Sequence, residues 1–251
     1  MMKLGFEGHP RALRRCIGFS LFVCLAACSS STSNKQPASP EAENKARTEV
    51  DDRMEIATAT LPQFRQNMPD SVASQTRCVA VIPGLVKGGF VVGGASGKGF
   101  AACKMDRGWS PPAPITIGGG SIGAQVGVQA TDWLMLVQSD TAKRSLLQGR
   151  FRIGVDASAT AGPVGKGRGA ASDKAGGDVL SYSRSRGLFA GAVLDGSTIS
   201  QDEDATRALY GNMTPFRDIL TGGAPIPADP AAKHFVTTLH DSFEGAAVSS
   251  R

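Results

Sequence analysis

The sequence predicts an α+β fold in which many short, glycine-rich antiparallel strands form a strongly curved sheet or small barrel, packed by N-terminal and C-terminal helices. Of the 31 glycines, 25 fall between Gly84 and Gly211. Short β-branched or aromatic runs alternate with these glycines, as they do in antiparallel sheets. Glycine at this density within strands is typical of bulges, tight bends and close backbone approach. Helical periodicity is confined to the segments on either side.

The first residues of the chain are predicted to be an export signal. Three arginines precede an apolar run over residues 17–27, which is too short to cross a hydrocarbon layer of about 30 Å as a helix. The run ends in Leu25-Ala26-Ala27-Cys28, the pattern of a bacterial lipoprotein cleavage box. We expect residues 1–27 to be removed and Cys28 to carry acyl chains such as palmitate, each buried CH₂ contributing about 0.8 kcal/mol. The alternative is an ordinary signal peptide that contains a cysteine.

The residues after Cys28 predict where the protein is held. Ser29 and Ser30 follow the cysteine, and no aspartate is present to retain a lipoprotein at an inner membrane. By analogy with lipoprotein sorting, we expect the periplasmic face of a bacterial outer membrane. Residues 28–40 are too polar to build a core and are predicted to form a lipidated, flexible tether.

Charge argues against nucleic acid as a partner. The formal net charge of +5 includes four basic residues in the signal segment against Glu7, so the processed chain carries about +2. Nucleic-acid-binding domains usually have a strongly basic face. A local basic patch on an anionic membrane remains compatible with this balance, at about 1 kcal/mol for each basic residue.

Two cysteines remain after processing and lipidation. Cys78 and Cys103 begin and end two strand-like runs, in a compartment where disulfides persist. We expect them to pair, and closing a loop of this length would contribute about 3 kcal/mol on the entropy model. The alternative is two separate buried thiols. A metal site is disfavoured because no histidine or second cysteine pair lies nearby in sequence.

Residues 41–75 are predicted to form an N-terminal helical segment. Apolar residues recur there at helical spacing, namely Ala46, Val50, Met54, Ala57, Leu61 and Phe64. Pro62 is expected to break this helix or to start a second one. We favour packing against the chain's own domain over contact with a bilayer, because the opposite face is mainly acidic and differs from a membrane-surface helix.

Strands and one short helix are predicted between residues 76 and 211. The strand-like runs are Val79–Ile82, Phe90–Val92, Phe100–Cys103, Ile115–Ile117, Ile122–Val128, Trp133–Val137, Phe151–Val155, Leu180–Ser183 and Leu188–Leu194. Asp140 and Thr141 are expected to cap a short helix that Gly149 closes. Ala157–Asp178 fits either a long loop or a strand pair. Asp195-Gly196 predicts a hairpin turn, followed by a short helix.

Residues 212–251 are predicted to form a C-terminal helical segment and a frayed tail, the tail from Gly245. Asp229-Pro230 is a good helix start, because an acid caps the first turn and proline suits its first position. The apolar stripe that follows is expected to pack on the sheet and consists of Ala232, Phe235, Val236, Leu239 and Phe243.

An ordered series of short motifs links these elements. It comprises Cys78-Val-Ala-Val-Ile-Pro83, Lys87-Gly-Gly-Phe90, Val92-Gly-Gly94, Gly108-Trp-Ser110, Ile122-Gly-Ala-Gln-Val-Gly127, Thr131-Asp132, Ala161-Gly-Pro163, Gly187-Leu-Phe-Ala-Gly191 and Tyr210-Gly211. In this order the motifs resemble the SYLF domain, a family of lipid-binding modules with actin-binding members in fungi. The resemblance covers about Thr76 to Gly211. It implies a domain that binds phospholipid head groups without established catalysis or cofactor.

Basic residues beside these motifs are the candidates for head-group contacts. Lys87, Arg184 and Arg186 lie where members of the family often carry Lys or Arg, and a guanidinium fits a phosphate well. Lys98 and the pair Lys143-Arg144 form a second tier. The alternative is that these are solvated charges at strand ends. Asp132 is expected to hold a turn or a backbone N–H.

Catalytic motifs are poorly supported. Gly97-Lys-Gly99 lacks the glycine and the Ser or Thr that a phosphate-binding P-loop requires. His234 and His240 lie outside any recognised spacing for zinc or for a Ser-His-Asp arrangement, although a hydrolase stays open because either histidine could reach a serine. We therefore expect no enzyme, cofactor or metal. The predicted function is binding of anionic phospholipid by a membrane-anchored lipoprotein, and the alternative is an envelope-tethered domain that binds a protein partner.

Overall fold

The computed structural model describes residues 39–89, 92–122, 127–162, 177–185, 188–191 and 194–244. Cys28, Arg186, the predicted signal segment and the predicted tail from Gly245 lie outside these residues. The strands are β1 (Cys78–Gly89), β2 (Val92–Cys103), β3 (Ala113–Ile122), β4 (Gly127–Val137), β5 (Arg150–Arg152), β6 (Ala159–Ala161), β7 (Val179–Ser185), β8 (Leu188–Gly191) and β9 (Thr198–Gln201). The helices are α1 (Pro40–Gln66), α2 (Asp70–Gln75), α3 (Asp140–Leu146), α4 (Glu203–Tyr210), α5 (Phe216–Leu220) and α6 (Pro230–Phe243).

The strands form one mixed sheet in the order β5-β9-β3-β2-β1-β4-β7-β6, with β8 added beside β7. The pairs along this path are antiparallel except β6 with β7, which is parallel. The sheet is strongly curved into a half-barrel, as the glycine content predicts. Strands β1 to β4 extend 10–12 residues and continue through their glycines, beyond the apolar runs.

The sheet buries an apolar cluster on each face. The helix-covered face packs against α1, α4 and α6 and contributes Val79, Val81, Phe100, Leu134, Leu136, Leu180 and Tyr182. The second face packs against α3 and α5 and contributes Cys78, Ala80, Ile82, Leu85, Ile115, Trp133, Met135 and Phe151. Successive side chains of a strand point to opposite faces, so the strands of this sheet are apolar on both.

Helix α1 packs against its own domain, which confirms the preferred interpretation of its apolar stripe. Val50, Met54, Ala57, Leu61 and Phe64 are buried, mainly against α6, α4 and the β1–β2 hairpin. Among the described residues, no helix combines the length and apolar character needed to cross a membrane.

The predicted break at Pro62 is wrong, because α1 continues through this residue to Gln66. A proline inside a helix removes one backbone hydrogen bond and crowds the carbonyl four residues earlier. Here it lies in the penultimate turn, where the buried side chains of Leu61 and Phe64 flank it. Their packing against the domain offsets the lost hydrogen bond.

Helices α3 and α6 begin at side-chain caps. The Asp229 carboxylate accepts the N–H of Ala231 and Pro230 occupies the first position of α6, which confirms that predicted start. The cap of α3 is Ser139, whose hydroxyl accepts the N–H of Ala142, instead of Asp140 or Thr141. Gly149 follows α3 with a φ of 82°, in the left-handed region that glycine tolerates.

The Asp195-Gly196 turn is present, but the predicted hairpin is wrong. Gly196 has a φ of 82°, and the Ser197 N–H bonds the Leu194 carbonyl across the turn. The preceding strand β8 pairs with β7, whereas the following strand β9 pairs with β3 and β5. The turn therefore lies on a connection between distant parts of the sheet. Of the Ala157–Asp178 stretch, the short strand β6 is described, and residues 163–176 lie outside the description.

The predicted disulfide is confirmed. Cys78 and Cys103 are directly opposite each other at the ends of β1 and β2, and their sulfur atoms are bonded. Both side chains are fully buried on the second face. The cross-link therefore ties together the two central strands where their pairing begins.

Candidate functional site

Lys87 is a half-buried cation near the end of β1. Burial lowers the pKa of its ammonium group. Lys87 lies two residues beyond Leu85, so its side chain belongs to the second face, and Ala95 is its partner across β2. Among the described residues, no carboxylate lies within ion-pair distance of Lys87. Its neighbour Val86 points to the opposite face and is 45% exposed, so the end of this strand presents a cation on one face and an apolar side chain on the other.

Arg184 is held by Asp132. The two residues are directly opposite on β7 and β4, and a guanidinium nitrogen of Arg184 lies 3.2 Å from the carboxylate of Asp132. The second oxygen of that carboxylate accepts the N–H of Gly84 at 3.0 Å. Gly84 lies in the irregular segment of β1 where its register with β4 shifts. The prediction that Asp132 holds a turn or a backbone N–H is therefore confirmed for the backbone N–H, that of Gly84.

Lys98 is also paired. Its ammonium lies 2.8 Å from a carboxylate oxygen of Asp202, a side chain that is only 6% exposed. The other oxygen of Asp202 accepts the N–H of Ala205 and caps α4. Asp202 is not among the site residues predicted from the sequence. The Gln-Asp-Glu-Asp run at the start of α4 is the signal that would have identified Asp202 as a helix cap.

The three described head-group candidates do not share one face. Arg184 follows Tyr182 at strand spacing, and Lys98 precedes Phe100 in the same way, so both point to the helix-covered face. Lys87 points to the second face with Leu85. Arg184 and Lys98 each form an ion pair with a carboxylate. Of these three candidates, Lys87 alone has no carboxylate partner among the described residues.

The second-tier residue Lys143 lies at the other end of β1, near the disulfide. Lys143 and Lys104 line a cavity of about 340 Å³ together with Arg77. These cations have partners, since Arg77 lies 2.9 Å from Asp140 and Lys104 lies 3.7 Å from Glu244. The Lys143 ammonium donates to the Lys104 carbonyl, and Arg144 donates to the Thr141 hydroxyl.

Both histidines contact glutamates on the helical layer. His234 Nδ1 lies 3.2 Å from Glu55, and His240 Nδ1 lies 2.8 Å from Glu244. The contact between His234 and Glu55 connects α6 to α1, so it contributes to the packing of these two helices. In the part of the chain that the structure describes, no three His, Cys, Asp or Glu side chains are grouped as metal ligands would be.

Comparison with known proteins identifies the family. Residues 118–242 match the family profile described as Ysc84, Las17-binding protein actin regulator. The chain belongs to the Ysc84/SYLF family. The matched region of this Ysc84/SYLF chain begins in β3 and extends through β9 into α6, so it includes Arg184, Asp132 and Asp202.

Relatives of the Ysc84/SYLF chain come from yeast and mammals. Protein YSC84 of Saccharomyces cerevisiae is 34% identical over 72% of this chain and 41% of its own length. LAS seventeen-binding protein 3 of the same yeast is 36% identical over 66% of this chain and 37% of its own length. The human SH3 domain-containing YSC84-like protein 1 is 29% identical over 64% of this chain and 48% of its own length. The chain thus spans less than half the length of these relatives.

Proposed function

We propose that this Ysc84/SYLF chain is a non-catalytic, lipid-anchored protein whose domain binds anionic phospholipid head groups at the periplasmic face of a bacterial outer membrane. The anchor rests on the cleavage box that ends at Cys28. Head-group binding is supported mainly by one observation: the half-buried ammonium of Lys87 has no carboxylate partner among the described residues. A phosphate at Lys87 would offset the desolvation that lowers its pKa.

The Lys87 ammonium would be attracted to an anionic membrane surface, at about 1 kcal/mol for a basic residue near such a surface. Val86 is exposed at the same strand end but on the opposite face of the sheet, so it does not share this contact with Lys87. Arg184 and Lys98 have smaller parts in this proposal, because binding phosphate would require each to leave a carboxylate. If Arg184 bound a phosphate, it would also lose its ion pair with Asp132, which connects β7 to β4.

Co-sedimentation with liposomes tests the proposal. Residues 29–251 keep the compact unit Ala38–Arg251 whole and omit the anchor, so binding reports on the domain. We expect salt-sensitive binding to vesicles containing phosphatidylglycerol or cardiolipin and none to neutral vesicles. Lys87→Gln should weaken binding several-fold, whereas the matched charge change Lys233→Gln, at an exposed position on α6, should leave it unchanged.

Failure to bind any vesicle composition would refute the phospholipid proposal and favour the second candidate, an envelope-tethered domain that binds a protein. That candidate is supported by the names of the relatives, which include a LAS seventeen-binding protein. Equal losses from Lys87→Gln and Lys233→Gln would show that attraction is general and that Lys87 is not a head-group site.

A further inference from the structure

A groove with two arginines lies at the β5 edge of the sheet, away from Lys87. It has a volume of about 660 Å³ and is lined by Gln148, Arg150, Arg152, Asp156 and Thr198. Arg150 and Arg152 flank the buried Phe151 and are both exposed, so they point to the same face. Ser200 and Thr198 of β9 are directly opposite them, which places hydroxyl groups between the arginines and the rest of the sheet.

The guanidinium groups of Arg150 and Arg152 are not paired with carboxylates in the part of the chain that the structure describes. Among the described residues, neither Arg150 nor Arg152 belongs to an ion pair, in contrast to Lys98 and Arg184. The one carboxylate of the groove lining, Asp156, is engaged by the backbone N–H of Arg152 at 2.6 Å. The groove therefore offers two forked donors toward a ligand that carries negative charge.

The backbone of β5 is not available for strand addition at its C-terminal end. The Arg152 N–H is bonded to Asp156, and the Arg152 carbonyl accepts the N–H groups of Val155 and Asp156. A ligand at this edge must therefore be recognised by side chains. Val155 lies in the turn that closes the edge and is 61% exposed, so it adds an apolar contact beside the arginines.

We propose that this groove docks an extended acidic protein segment in which carboxylate side chains alternate along the chain. Alternate residues of an extended chain lie on one side, about 7 Å apart, which is also the spacing of Arg150 and Arg152 along β5. Two carboxylates of such a segment meet two guanidinium groups in register. The volume of the groove is within the range of about 300–1,000 Å³ typical of ligand sites, far larger than a single phosphate needs. This site is independent of head-group binding at Lys87.

Fluorescence anisotropy with the full-length protein in a non-ionic detergent tests the groove. The probe is a fluorescein-labelled peptide that alternates aspartate with threonine, and the comparison peptide has the same composition with its aspartates in one block. We expect the alternating peptide to bind more tightly. The double variant Arg150→Glu with Arg152→Glu should weaken binding of the alternating peptide by about tenfold or more. Two attractions between arginine and peptide carboxylate are replaced by two repulsions. Arg107→Glu, at an exposed site outside the groove, should have little effect.

A second double variant distinguishes loss of docking from loss of folding. Arg150→Gln with Arg152→Gln removes the charges without adding acids, and unchanged thermal melting with weakened peptide binding would support the groove. Four results would overturn the proposal: no binding of either peptide, equal binding of both, equal loss in Arg107→Glu, or competition by pyrophosphate as strong as by unlabelled peptide. The last would indicate a simple anion site.

Discussion

Asp132 joins Arg184 of β7 to Gly84 of β1 through the two oxygens of one carboxylate. One oxygen lies 3.2 Å from the Arg184 guanidinium, and the other accepts the Gly84 N–H at 3.0 Å. Because Asp132 itself belongs to β4, this carboxylate ties three adjacent strands at the point where β1 departs from regular pairing. The family motif Thr131-Asp132 therefore has a structural explanation that involves neither catalysis nor lipid.

Substitutions at Asp132 should separate these two bonds. Asp132→Asn keeps an oxygen for the Gly84 N–H and loses the ion pair, so we expect a loss of about 1 kcal/mol in the free energy of unfolding. Asp132→Ala also leaves the N–H unpaired and should cost about 1–3 kcal/mol. Urea denaturation measures both. Equal losses in the two variants would contradict the bond to Gly84.

Much of the fold follows from local signals. The cap at Asp229, the buried stripe of α1 and the glycine-rich curved sheet each depend on residues close together in the chain. These features could be predicted because capping and periodicity act over a few residues. The disulfide was predictable because Cys78 and Cys103 are the two cysteines outside the predicted signal segment and the predicted lipidation site at Cys28.

The features that could not be predicted depend on distant partners. The pairing of β9 with β3 and β5, instead of β8, is decided by the whole sheet. Lys98 beside Gly97 and Gly99 suggests a free cation in sequence, yet the fold brings Asp202 to it. The continuation of α1 through Pro62 likewise rests on the packing of Leu61 and Phe64.

Gly99 is predicted to be irreplaceable. A Cβ atom at this position would lie 2.0 Å from the Val81 carbonyl oxygen, within the backbone of the adjacent strand. Gly99→Ala should therefore cost roughly 3 kcal/mol or more, or prevent folding, because the two backbones must separate. Gly118→Ala is the matched control, since a Cβ there would meet no atom within 4 Å. Thermal melting should show a change of less than about 1 kcal/mol for the control.

Removing the disulfide should lower stability without changing the fold. Replacing Cys78 and Cys103 with alanine opens a loop with a sequence separation of 25, which corresponds to about 3 kcal/mol on the entropy model. Alanine is the suitable replacement because both positions are fully buried. Urea unfolding should show a lower midpoint for the double variant. Cys28→Ser, outside the described residues, is the control and should leave the midpoint unchanged.

Lys87→Met should stabilise the protein at neutral pH. Burial lowers the folded-state pKa of Lys87 below its ordinary value of 10.5, so the unfolded chain holds this proton more tightly. Wild-type stability should therefore rise with pH between the folded-state pKa and 10.5, relative to the variant. Thermal melts over this range should show the advantage of Lys87→Met shrinking as pH increases. Lys233→Met, at an exposed position, should show no such trend.

The last prediction concerns three charged residues where α1 meets the start of α6. Arg47 lies 3.3 Å from Asp229, and the Asp229 carboxylate also acts on Asp51. Burial, followed by the charge of Asp229, raises the pKa of Asp51 above its ordinary value of 3.8, while Arg47 acts in the opposite direction. When Asp51 is ionised, the folded protein therefore holds two neighbouring carboxylates that repel each other.

Asp51→Asn should relieve this repulsion. Because the folded-state pKa of Asp51 is raised, wild-type stability is lost as pH rises through that pKa, relative to the variant. We expect a higher melting temperature for Asp51→Asn than for wild type at pH 7. The two melting temperatures should become equal below about pH 4, where Asp51 is protonated in both the folded and the unfolded chain. Asp52→Asn, at an exposed position beside it, controls for the change in net charge. A stability difference that stays constant from acid to neutral pH would mean that the Asp51 carboxylate is not responsible, and that the amide acts through packing or hydrogen bonding alone.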